Sequence, residues 1–442
     1  MSGKFEIQWE WLPSFEAESM DGQTFSDLKI CVNDKLITEL EDLHSKSLRK
    51  GMYVSAYPLA LFFAANWWRL TWEPMVVNDP QWMMRHSLTG VGDGYVWPDI
   101  TFASDGKFIL IRSRPTEYSK TSPVRFLTDF FGWVPVKEFE RMVSEYIEGV
   151  LARMLEMGFH KTELSDVWQE VCQEKKDADT ALWRRCEALA GYDPDEAPEA
   201  FVEQLLNEGT RIGFDSIHEL TAASRSRAIE DLFTLQDALR NKGMVFQIAE
   251  FEKLKAKIHS LSIDTILPPW RHAYNAAKTA RNLWGLDDKP ISNAMLADLT
   301  KITQKMVENA TGPGSVLESP YSASSWQKNQ YDSHIILNRK PLTSRRFAIC
   351  RLIGDRFWDK DDNGTLSAAT DAPTGRQKFQ RAFAQELLCP FESLMNYLKT
   401  DCPNEDDIED VADHFQVSPH LVHTTLVNHH VLPHDLVGEL SD

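Results

Sequence analysis

The sequence contains no CxxC pair. Its six cysteines, Cys31, Cys172, Cys186, Cys350, Cys389 and Cys402, are scattered over 442 residues. That spacing excludes a zinc ribbon or a thioredoxin-like motif, and free thiols in a reducing compartment are the simplest reading. Long apolar runs are also missing. The most apolar stretch, Tyr57 to Trp68, is too short to span a bilayer and is followed by Arg69. The opening residues MSGKFEIQWEW lack the apolar core of a signal peptide. A cytoplasmic chain with no membrane association is therefore expected. Positive charge is scarce: 47 Lys and Arg stand against 66 Asp and Glu, a formal net charge of −19. Such a surface repels nucleic-acid phosphates at long range. The deficit is sharpest from Asp401 to Asp442, which has no Lys or Arg against ten Asp and Glu.

The chain is too long for one ordinary core, so two to three domains are expected. With 43% hydrophobic and 26% charged residues it has enough apolar material to fill them. The expected class is α+β, predominantly helical. Residues 1–135 read as a mixed, Trp-rich domain, holding seven of the 14 tryptophans: Trp9, Trp11, Trp67, Trp68, Trp72, Trp82 and Trp97. FEIQWEW alternates as a strand does. LKICVNDKLIT reads as two short strands around Asn33-Asp34, and ITFASDGKFILIRS as a hairpin turning at Ser104-Asp105-Gly106. Ala56 to Trp68 suits a buried helix.

Residues 136–262 are a helical middle region, with Phe139, Met142, Val143, Tyr146, Ile147, Val150, Leu151 and Met154 at helical spacing. The pattern changes at Pro268-Pro269. From there PPWRHAYNAAKTARNLWGL forms a helix and SHIILN a strand. SRRFAICRLIGDRFW forms a helix with Ser344 as the candidate N-cap. GRQKFQRAFAQELLCP forms a helix ended by Pro390, and a closing helical pair is jointed at Val417-Ser418-Pro419.

Those five elements, taken in order over residues 268–435, resemble the ImmA/IrrE family of zinc metallopeptidases, with AFAQELLCP matching its Leu-Leu-x-Pro corner. The resemblance implies a zincin-like domain with a small sheet, and a metal-binding helix at RRFAICRLIGDRF. The chemistry of that helix is missing. An HExxH motif needs two histidines four apart to hold zinc and a glutamate to activate water. The matching positions hold Arg351, Leu352 and Asp355, and the third ligand position holds Phe379. A guanidinium has no lone pair to give and leucine is no base. The expectation is a degenerate site with no metal, no cofactor and no catalytic residue. A cluster of cations lies on or beside these two helices: Arg345, Arg346, Arg351, Arg356, Arg376 and Arg381, with Lys378. They are the candidate anion or partner groove, set against the plainer reading of solvated helix faces.

Other motifs are weaker. His414, His420, His423, His429, His430 and His434 lack acidic or thiol companions at ligand spacing and read as surface histidines. Asp359-x-Asp361-x-Asn363-Gly364 begins like a calcium loop but reaches Thr370 where a bidentate Glu is needed. Pro98-Asp99 matches half of a nuclease pattern, but Arg112, Ser113 and Arg114 stand where the second carboxylate belongs. His86 before SLTGVGDGY reads as a tight turn more readily than as a ligand loop. The closing helical pair has no cations for phosphate contacts, so direct DNA binding by it is not expected.

The leading expectation is a noncatalytic, peptidase-derived regulatory or interaction protein with a protein partner. The resembled family implies bacterial mobile-element control or phage defence. The Trp-rich domain would serve in sensing or partner binding, since aromatics concentrate at binding hot spots. The alternative is an enzyme, either a metallopeptidase with a rebuilt metal site or a nuclease with its site in the N-terminal domain.

Overall fold

The computed structural model describes residues 3–13, 19–119, 121–260, 267–327, 330–358, 364–400 and 402–432. The fold is α+β and predominantly helical. The chain divides into two compact units, Met1–Pro198 and Glu199–Asp442. The helical stretch 136–262 is shared between them. Its first helices pack into the core of the first unit, and the rest belong to the second.

In the first unit, β1 (Phe5–Trp11) pairs antiparallel with β2 (Phe25–Val32), which also pairs with β3 (Met52–Ser55). Beyond β2 the chain reverses through Asn33 and Asp34, whose φ values of 51° and 64° suit a tight hairpin turn. The helix expected over 56–68 is interrupted. α1 (Ala56–Ala65) ends at Asn66, whose side-chain amide donates to the Phe62 carbonyl at 2.9 Å, and α2 (Trp67–Trp72) begins after it. α3 (Pro80–His86) follows. β4 (Asp99–Ser104), β5 (Phe108–Arg114) and β6 (Phe130–Pro135) form a second antiparallel sheet in the order β6-β5-β4. α4 (Val136–Glu156) buries its apolar stripe, including Phe139, Tyr146 and Val150, against the strands and α1. α5 (Glu163–Lys176) and α6 (Ala178–Ala190) complete this unit.

Of the seven early tryptophans, Trp67, Trp68, Trp82 and Trp97 are buried. Trp9, Trp11 and Trp72 are half-buried against the core that holds Trp67, Trp68 and Trp97, while Trp82 sits in a smaller cluster with Ala103 and Leu110. Their abundance therefore fills an interior. None of the seven is exposed.

The second unit opens with α7 (Glu199–Ile212), α8 (Phe214–Ser224) and α9 (Ala228–Lys242). Next come β7 (Met244–Phe246), α10 (Phe251–Ser260) and α11 (Pro269–Leu283). A hairpin, β8 (Ser322–Gln327) and β9 (Gln330–Ile336), leads to α12 (Leu342–Asp355). Then follow β10 (Leu366–Ala369), α13 (Gly375–Leu388) and the closing pair α14 (Glu405–Phe415) and α15 (Pro419–Asn428). The sheet order is β7-β9-β8-β10, antiparallel throughout. The strand legible in SHIILN is β9, and its partners come from segments with no clear alternation.

α12 begins earlier than expected. Pro341 precedes its first turn, the Arg345 amide donates to the Pro341 carbonyl at 3.0 Å, and no side chain caps it, so Ser344 lies inside the helix. α12 crosses α13 closely at Gly354, where a Cβ would lie 2.7 Å from the Phe383 ring. That crossing brings Arg351 and Asp355 against α13.

Candidate functional site

The face of α12 toward α13 presents Arg351 and Asp355, one helical turn apart. α13 starts from Thr374, whose hydroxyl accepts from the Gln377 amide at 3.2 Å. This cap sets the helix phase so that Arg376, Gln377 and Gln380 share one inward face. All five side chains are buried.

Arg376 grips Asp355 with two parallel bonds, Nε to Oδ1 at 2.7 Å and a terminal nitrogen to Oδ2 at 2.6 Å. Gln380 adds a third donor to Oδ1 at 2.6 Å. Burial pushes the Asp355 carboxyl up, but the Arg376 guanidinium and these hydrogen bonds outweigh it and hold the group below the usual carboxylate value. Arg351 turns the other way. One of its terminal nitrogens donates to the Thr370 carbonyl and to Gln377 Oε1, each at 2.5 Å. Burial pulls the Arg351 guanidinium down to about 9.

Gln377 is the junction. Its Oε1 accepts from Arg351 and from the Thr370 amide at 3.0 Å, while its Nε2 donates to the Ala368 carbonyl and to Glu219 Oε2, both at 3.0 Å. Thr374 also donates to Glu219 Oε2 at 2.7 Å. Glu219, on α8, thus joins the network from an element about 150 residues upstream of Thr374. Burial raises its carboxyl above the ordinary value, against the pull of Arg376 and these two donors.

Arg351 and Asp355 therefore do not pair along their own helix, because each finds a better-placed partner across it. Leu352 lies in the apolar core. Phe379 packs on Trp358 and Phe383, at ring separations of 5.5 and 6.4 Å. One residue along α13, Gln380 faces Asp355 instead.

The six arginines expected to form one groove are dispersed. Arg345 is fully buried and donates to the carbonyls of Val307, Arg339 and Met306. Arg346 is fully buried on the carbonyls of Gln416 and Ile291 and on Asn293 Oδ1. Both act as internal pins, since a fork of N–H donors satisfies several loop carbonyls at once. Arg356 lies 3.6 Å over the Trp326 ring. Arg381 reaches the Ala372 carbonyl at 3.3 Å. Arg351 and Arg376 enter the network through Gln377, Thr370 and Asp355.

These residues do not fit a zinc ion. Of Arg351, Leu352, Asp355 and Phe379 only Asp355 is anionic, and both its oxygens are engaged. Among the described residues, no three His, Cys, Asp or Glu side chains converge as a metal set. The calcium-like segment at Asp359, Asp361 and Asn363 lies outside the described residues, as does His434.

The remaining candidates have structural partners. His429 stacks on Phe391 at 3.6 Å and His414 on Tyr397 at 4.3 Å, while His420 and His423 are exposed. Asp99 faces Arg114 across the β4–β5 register, 3.7 Å away. His86 is fully buried and stacked on Trp82 at 3.8 Å, far from a solvent-facing loop role. Among the described residues, no helix is long and apolar enough to cross a membrane.

Sequence reasoning missed Gln377, Gln380, Thr374 and Glu219. The first two had a signal: Arg376, Gln377 and Gln380 make a polar stripe on a helix otherwise rich in buried apolar residues. Glu219 had none, because its role depends on where α8 docks. Comparison of the chain with protein-family models, with curated proteins and with solved structures found no match.

Proposed function

We propose that the second unit is a peptidase-derived framework that recognises a protein partner and performs no hydrolysis. The observation that carries this reading is the Arg351–Gln377 and Asp355–Arg376–Gln380 network. It stands where the resembled family holds a metal and replaces coordination with hydrogen bonds. The five elements of the resemblance belong to one unit, and α11, α12, α13 and the closing pair share one apolar core, which supports a retained framework. A role in bacterial mobile-element control or phage defence follows from the resemblance. The closing pair, lacking cations, is proposed not to contact DNA, so the partner is a protein.

The test is elemental analysis of protein purified without added metal, joined to a peptidase assay with unstructured substrates. Less than about 0.1 zinc per chain and no cleavage are expected, because structural zinc binds with an affinity that survives purification. Near-stoichiometric zinc lost in Asp355→Asn would overturn the reading.

A further inference from the structure

The first unit carries a third small sheet, in which the strand Leu40–Asp42 lies between Ser47–Arg49 and Val124–Phe126. Leu48, Glu41 and Arg125 stand opposite one another across it. Among the described residues the outer strand, Ser47–Arg49, pairs on one side only. A strand so placed presents unmade backbone hydrogen bonds on its other side. Elsewhere the chain lies against such strands itself. Gly3 approaches the Trp133 carbonyl on β6 so closely that a Cβ would lie 2.5 Å from it, and the Leu366 carbonyl on β10 accepts from the Ser216 hydroxyl at 2.7 Å.

Charge sets this edge apart. In a chain of net charge −19, no Asp or Glu occurs between Asp42 and Glu73. Lys46 and Lys50 flank the strand and are exposed, and among the described residues neither ammonium group has an ion-pair partner. The carboxylates of the neighbouring strand are already engaged, Asp42 with Arg49 at 2.9 Å and Glu41 with Arg125 at 3.8 Å. Between the two lysines Leu48 is 69% exposed, an apolar side chain with little to pack on.

We propose that the Ser47–Arg49 edge is a docking site for an extended, acidic segment of a partner protein, which adds to the sheet as a further strand. Backbone pairing holds the segment, an apolar side chain covers Leu48, and carboxylates on either side of it meet Lys46 and Lys50. The same cations disfavour a second copy of this strand, because pairing two of them sets like charges against each other. Duplex DNA fits less well, since two free lysines supply about two phosphate contacts and the rest of the duplex would meet a negatively charged molecule. The lysines act only locally, because salt screens exposed charges beyond about 8 Å. Backbone pairing must therefore supply part of the binding. The site belongs to the first unit and stands whether or not the second unit binds a metal.

The test uses the full chain and the fluorescein-labelled peptide EDVTVDE, read by fluorescence anisotropy. The neutral counterpart QNVTVNQ is expected to bind at least tenfold more weakly. So is the acidic peptide N-methylated at its three central residues, which keeps its charge and loses its backbone donors. The double variant Lys46→Glu, Lys50→Glu should weaken the acidic peptide at least tenfold. Both side chains are exposed, and circular dichroism checks that the variant folds. If it does not fold, Lys46→Gln, Lys50→Gln takes its place, with at least a threefold loss expected. The proposal is overturned by an absence of saturable binding to the wild type, by equal binding of the neutral or the N-methylated peptide, or by an unaffected double variant. A labelled DNA duplex that binds more tightly than the acidic peptide, and is weakened by the same two substitutions, would assign the edge to nucleic acid and overturn it too.

Discussion

Asp355 and Arg376 meet across two helices through a pair of parallel hydrogen bonds, 2.7 and 2.6 Å long, with neither side chain reaching solvent. A buried pair of this geometry is costly to break from one side. Arg376→Ala leaves a carboxylate without its counterion, and about 3–5 kcal/mol of stability should be lost. Replacing both, as Asp355→Leu with Arg376→Met, should cost far less, because two apolar groups leave no orphaned charge. Denaturant melts of the two singles and the double check this. Additive losses would show that the ion pair is not the unit of stability.

Arg351→Glu is a more severe change than its place on a helix face implies. The new carboxylate would face the Thr370 carbonyl, Gln377 Oε1 and, one residue beyond, Glu219. The variant should lose at least about 3 kcal/mol. Arg351→Met keeps the volume and removes the charge, and should melt much closer to wild type. Thermal melts of the two side by side give the answer, and equal melting would mean Arg351 is not held as described.

Gly354→Ala tests the helix crossing. The added Cβ would lie 2.7 Å from the Phe383 ring, so α12 and α13 must move apart. A loss of about 1–3 kcal/mol is expected. The companion change Phe383→Leu, made in the Gly354→Ala background, should recover part of it.

The first unit should lose stability on acidification through His86. Desolvation, with Arg69 and Arg85 nearby, lowers the His86 pKa from 6.5 to about 3, opposed by its bond to the Trp82 carbonyl. Between those values the unfolded chain binds a proton that the folded chain refuses. Stability contributed by neutral His86 is therefore complete above about pH 6.5 and drains as pH falls toward about 3, at up to about 1.4 kcal/mol per pH unit. Unfolding of wild type and His86→Gln at several pH values should diverge in that window and run parallel above it.

Residues 1–198 and 199–442 should each express as folded, soluble chains, since each holds its own apolar core. The division falls at the end of the break GYDPDEAPE, where Asp193 to Pro198 is the preferred site for limited proteolysis. Cooperative melting of both fragments by circular dichroism would agree with this, and an unfolded fragment would contradict it.

Much of the architecture was written in local pattern. Period-two alternation marked β1 and the β4–β5 hairpin, and the apolar stripe from Phe139 to Met154 marked α4. These features depend on neighbours in the chain, and a single sequence contains them. That Arg351 and Leu352 cannot ligate a metal was equally legible, whatever surrounds them. What those residues do instead was not. Arg345, Arg346 and Arg351 look alike as three cations on one helix. Tertiary packing turned the first two inward onto loop carbonyls and the third onto Gln377, because a buried guanidinium goes wherever several acceptors converge. The pairing of Asp355 with Arg376 in preference to Arg351 was decided by the close crossing at Gly354, and the part played by Glu219 by the docking of α8 about 150 residues upstream of Thr374. Spacing along one helix shows which side chains share a face. Only the packed elements decide what that face meets.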